Sequence, residues 1–81
     1  MNAIERLEIG NQLLDAENAR ADGVEVSESR LAGLYAKLMF DKLTHKLPMK
    51  DASSVLSIIA GVSRKAAMQA MYAETRARKG K

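Results

Sequence analysis

Apolar residues along this chain recur three and four positions apart. Leu31, Leu34, Tyr35 and Leu38 form one such stripe, and Ala52, Val55, Leu56 and Ile59 form another. That spacing places each set on one face of a helix. β-Branched and aromatic residues are too sparse for a sheet, and the short "GVEV" run at 23–26 has no partner to pair with. The pattern predicts four helices, over 2–21, 28–44, 49–60 and 63–78. Asn2 opens the first, with Glu5 completing a capping box, and "ADG" closes it. Ser27 caps the second, Pro48 pre-sets the first turn of the third, and Gly61 ends it. Ser63 caps the fourth. The expected fold class is all-α: one small four-helix domain with a tight corner between helices 3 and 4. Residues 1–46 would form a helical pair for packing and dimerisation, 47–78 the corner unit, and 79–81 a frayed tail.

The first two helices carry apolar residues on more than one face. Leu7 and Leu14 lie on one side of the first, with Ile9 and Leu13 nearly opposite; Phe40 points away from the Leu31/Leu34/Leu38 stripe on the second. A surface helix of a monomer needs one stripe, so two imply central burial or a partner surface. A chain of 81 residues has little material to surround a helix. It buries only about 60–65 % of its unfolded surface, and without cysteine it has no disulfide or thiolate metal site to add stability. A homodimer through helices 1 and 2 is therefore expected. The four internal methionines (Met39, Met49, Met68, Met71) are expected mainly as core filler, with an adaptable protein-binding surface as their alternative role.

Charge sharpens the division into halves. Residues 1–40 hold four basic and seven acidic residues, a balance of −3; residues 41–81 hold nine basic and three acidic, a balance of +6. The second half thus suits a polyanion, the alternative being a solubilising basic tail. No basic leader precedes an apolar run, and no apolar stretch approaches the roughly 20 residues that cross a bilayer. The chain is expected to be complete, soluble and cytoplasmic, with no membrane partner.

The stretch "LSIIAGVSRKAAMQAM" carries the most specific pattern. Leu56 is an apolar anchor, Ser57 a small residue where two helices would cross, Gly61 the turn, Val62 a plug in the corner and Ser63 a cap. Over residues 53–72 the chain resembles helix-turn-helix DNA-binding proteins. At 100° per residue, Ala66, Ala70, Ala73 and Ala77 fall within about 60° of one another, flanked by Ala67. These alanines are expected to form the inner face of the fourth helix, packed unusually close. On the side expected to lie opposite, Lys65, Gln69, Tyr72 and Arg76 form a second stripe, with Met68 at its edge. The resemblance implies double-stranded DNA as partner and Ser63, Arg64, Lys65, Met68 and Gln69 as base-facing positions of a recognition helix. Tyr72 and Arg76 extend the DNA-binding set along the stripe. Gln69 suits adenine, and Arg64 or Lys65 guanine. The helix start offers free amides to a phosphate. The plain alternative is a solvated polar face.

Residues 47–74 are also similar to the helical module that ends the ribosomal RNA small-subunit methyltransferase I family. Leu47, Pro48, Lys50, Ala52, Gly61, Val62, Lys65 and Ala66 match its pattern. Serines at 53, 54 and 57 depart from it, as does Met68 where that module has a tyrosine. The similarity implies an accessory fold used near nucleic acid, and no methyl transfer, because no nucleotide-binding catalytic domain is present.

Chemistry of other kinds is not expected. His45 has no accompanying ligand set and reads as a residue favoured by the end of a helix dipole. The glycines are scattered, so no phosphate-cradling loop forms, and Ser63 has no neighbouring histidine to activate it. Tyr35 and Tyr72 make no stacking platform for single strands. The expectation is a non-enzymatic, cofactor-free and metal-free DNA-binding protein, a small transcriptional regulator of phage or plasmid type. The alternatives are a helical protein-binding adaptor or inhibitor, and an RNA-associated accessory module.

Overall fold

Helix boundaries follow three side-chain caps, one proline and one glycine. The computed structural model describes residues 1–79 as α1 (Ala3–Ala21), α2 (Glu28–Lys46), α3 (Met49–Ala60) and α4 (Arg64–Lys79), with no strand among the described residues. Asn2 Oδ1 accepts the Glu5 amide at 2.8 Å, and its Nδ2 donates to Glu5 Oε1 at 3.3 Å. The hydroxyl oxygens of Ser27 and Ser63 accept the amides of Arg30 and Ala66 at 3.4 and 3.1 Å. Each of the three bonds from a backbone amide satisfies a donor that a helix start leaves unpaired, worth about 1 kcal/mol. Gly61 terminates α3 in the left-handed region (φ 66°, ψ 41°).

α2 is the central helix and packs against all three others, while α3 also meets α4. α1 folds back antiparallel along α2, bringing Glu17 beside Tyr35. α4 runs parallel to α2, since Ser63 meets Glu28 at one end and Arg78 meets Asp41 at the other. Leu31 of α2, Leu56 of α3 and Met71 of α4 are the largest fully buried side chains. Burial of each contributes about 1.5–3 kcal/mol. Central placement accounts for the second apolar face of α2 within a single chain. Phe40 is half-buried under the Arg78 guanidinium, whose carbon lies 4.5 Å from the ring centroid.

Two inner faces differ from the expected ones. On α4, Ala66, Ala67 and Met71 are buried and Ala70 half-buried, whereas Ala73 and Ala77 are exposed. The buried face is turned by about 70° from the alanine seam. Met71 carries far more apolar surface than any alanine, so its burial sets the helix rotation. Ala73 and Ala77 are left lining an open groove beside Gly33, which offers no side chain to cover them. On α3, Ser53, Ser57 and Ala60 are buried while Ile59 and Ile58 face outward. Small residues win this face because α3 and α4 approach closely at the corner. The Ser57 hydroxyl donates to the Val62 carbonyl at 2.6 Å, so its burial leaves it satisfied.

α4 also continues through Lys79, past the point where the chain was expected to stop being helical. Arg78 holds this end: its Nη1 lies 2.9 Å from Asp41 Oδ1 and its Nε 3.4 Å from Glu74 Oε1. The remainder of the expected frayed tail, Gly80 and Lys81, lies outside the described residues. The methionines divide by depth. Met71 is fully buried, Met39 and Met49 are half-buried against the core, and Met68 is exposed. No helix is long and apolar enough to cross a membrane among the described residues.

Candidate nucleic-acid interface

A helix presents a usable outer face only if its start and its rotation are held. The start of α4 is held by groups from three other elements. Glu28, the first residue of α2, accepts the Ser63 amide on its Oε1 at 3.0 Å. Its negative charge also sits favourably at the positive end of the α4 dipole. Arg20, near the end of α1, donates from Nη1 to the carbonyls of Ala60 at 3.0 Å and Gly61 at 3.4 Å. These carbonyls end α3 without helical partners, and a cation there is favoured by the dipole. Arg64 Nη2 donates to Ser54 Oγ on α3 at 3.1 Å, bracing the other side of the corner.

Arg20 is itself positioned. Glu17 pairs with its guanidinium one turn earlier, and Tyr35 on α2 donates its hydroxyl to Glu17 Oε2 at 3.0 Å. Burial, followed by the Glu17 carboxylate, pushes the Tyr35 phenol above its ordinary range, so the donor stays protonated. A Cβ on Gly61 would come within 3.3 Å of the Arg20 guanidinium, so the glycine serves both the left-handed turn and this close approach.

The seven candidate DNA-binding residues are all exposed, but they fall into two groups. Lys65, Met68, Gln69, Tyr72 and Arg76 line a single open depression of about 330 Å³ on α4. The depression faces away from Ala67 and Met71, so the rotation that exposed Ala73 and Ala77 also centred this stripe outward. Ser63 and Arg64 stand at the corner instead. Ser63 Oγ caps the helix, and the Arg64 guanidinium leans on α3. The Arg64 and Lys65 amides have no hydrogen-bond partner among the described residues, whereas the Ser63 amide already has Glu28.

Arg20, Glu17, Tyr35 and Glu28 were not among the sequence-predicted site residues. Their contacts with the corner and with one another span 18 to 41 residues for every bond except the Glu17–Arg20 pair. Only that pair leaves a local trace, as an acid and a base one helical turn apart. Among the described residues no three His, Cys, Asp or Glu side chains converge as metal ligands would. Comparison with protein-family models, curated proteins and solved structures finds no match to this chain.

Proposed function

We propose that the protein binds duplex DNA through the outer face of α4, with α3 and α4 acting as a helix-turn-helix, and serves as a small transcriptional regulator by occupying its site. The observation that carries this reading is the open stripe of Lys65, Met68, Gln69, Tyr72 and Arg76 on a helix whose start is braced by Glu28, Arg20 and Ser54. Lysine and arginine neutralise phosphates, and the glutamine amide offers a donor and an acceptor to an adenine edge. Tyr72 supplies a hydroxyl and an apolar ring on the same face. Ser63 contributes by holding the helix start, and Arg64 by its amide and its brace to α3. The +6 balance of residues 41–81 supports attraction to a polyanion.

Fluorescence anisotropy with a labelled random duplex tests this reading. Binding should fall steeply as salt rises from about 50 to 200 mM, because each neutralised phosphate releases condensed counterions. Lys65→Ala combined with Gln69→Ala should weaken binding while helicity is unchanged. No binding at about 50 mM salt rejects the reading. A protein-binding adaptor is the second reading, favoured by Ile58, which is 82 % exposed on α3. Ile58→Lys would then abolish partner capture without altering duplex affinity.

A further inference from the structure

We propose that the outer face of α1 is a seam for a second copy of this chain, paired parallel and in register. Ile4, Leu7 and Leu14 are 69, 64 and 59 % exposed although α1 is packed on α2. They are not scattered. Residues 4, 7, 11, 14, 18 and 21 are all exposed and alternate spacings of three and four, the repeat that forms a coiled-coil seam. The side of α1 turned to α2 carries Ile9, Leu13 and Ala16, about 180° away. The apolar residues of the outer stripe therefore lie outside the core of one chain.

Asn11 and Asn18 point to a second copy rather than an unrelated partner. Both fall on the seam, between and after the apolar positions. A carboxamide donates and accepts, so an asparagine facing its own copy across a two-fold axis satisfies both functions. An apolar groove on a different protein would bury it unpaired.

Charge on the two flanks selects the parallel orientation. One flank carries Glu8, Asp15 and Asp22, and the other Ala3, Gly10 and Glu17. In a parallel pair Glu8 faces Ala3 of the second copy and Asp15 faces Gly10, so these two acids meet small uncharged residues. The remaining acid–acid contact, Glu17 with Asp22, also occurs twice by symmetry, but it is relieved because Glu17 is already paired with Arg20 in its own chain. An antiparallel pair would set Glu8 against Asp15 twice. Because Arg20 ties the end of α1 to the α3–α4 corner, parallel pairing brings both corners to one end of the dimer. Only the use of that arrangement on DNA rests on the reading above; the pairing itself is measured without nucleic acid.

Sedimentation equilibrium of the full chain should show the mass rising with concentration from 8.9 kDa toward twice that value. Leu7→Glu with Leu14→Glu should hold it at 8.9 kDa, with helicity by circular dichroism unchanged. A wild-type chain that stays monomeric at the highest concentration reached overturns the proposal, as does a dimer indifferent to the double substitution. Orientation is read by cross-linking, because the chain has no cysteine of its own. Ala21→Cys should oxidise to a disulfide dimer many-fold faster than Glu5→Cys, which lies off the seam. In an antiparallel pair the two residues 21 would be about 25 Å apart, 17 residues at 1.5 Å each, beyond the roughly 7 Å reach of a disulfide. Equal rates for the two variants overturn the parallel arrangement.

Discussion

α1 and α4 flank the same central helix, yet they are held differently and turn different chemistry outward. α4 is pinned at both ends, by Glu28 on Ser63 and by Asp41 on Arg78, and is set in rotation by Met71 between them. α1 rests on the core through Ala16 and Leu13, of which only the alanine is fully buried, and reaches the corner through the Arg20 side chain. The pinned helix shows a polar and basic outer face; the other shows leucine and isoleucine among acids. A face that reads another molecule by individual side chains needs fixed rotation, which α4 has. A face that associates by apolar area can complete its own positioning on contact, since the partner supplies the missing burial.

Substitutions can break or sharpen that contrast. The largest effect is expected at Met71, where Met71→Ala should cost about 2–5 kcal/mol in urea denaturation. Met68→Ala, on the outer face of the same helix, should stay within about 0.5 kcal/mol. Equal losses would remove the distinction between the two faces of α4. Arg20→Ala should cost about 1–2 kcal/mol, because two carbonyls at the end of α3 lose a charged donor that is still partly solvated. Amide hydrogen exchange at Gly61 and Val62 should quicken in that variant. A loss no larger than that of Arg6→Ala would show that α1 does not brace the corner.

Tyr35→Phe should cost about 1 kcal/mol near neutral pH, the worth of one hydrogen bond to a carboxylate in a half-buried site. The sign of its pH dependence follows from the raised phenol. The bond to Glu17 contributes fully below the ordinary tyrosine value of 10.0 and is lost as pH rises through the higher value of the folded chain. Wild type should therefore lose its advantage over Tyr35→Phe on the alkaline side of that window. A gap between the two melting temperatures that is constant from neutral to strongly alkaline pH would contradict the contact. Glu28→Gln should have the smallest effect, about 0.5 kcal/mol, since the amide still accepts from Ser63 and only the charge at the α4 dipole is lost. If α4 meets DNA, the same substitution should tighten binding by removing an anion beside the corner.

Much of the fold was legible because it is written in short-range chemistry. Asn2, Ser27 and Ser63 mark helix starts, and Gly61 marks an end, through bonds that close within three or four residues. The outer stripe of α4 was legible for the same reason, since residues three, four and seven apart share a face in any helix. The inner face was not. Four alanines suggested a seam, but an alanine carries too little surface to hold a rotation against one buried methionine. On α3, Ile59 had the apolarity for the core, and close approach of two helices favoured Ser53, Ser57 and Ala60 instead.

Sequence alone thus determined the helical class, the four segments with most of their ends, and the separation of charge between the two halves. These depend on local hydrogen bonds, periodicity and composition. The three-dimensional arrangement decided which face of each helix is buried, that α2 is central, and that Arg20 and Glu28 hold the start of α4 from α1 and α2. Those outcomes depend on competition among distant side chains for a small volume, and on charged side chains meeting backbone groups 35 to 41 residues away. No spacing along the chain records such a competition.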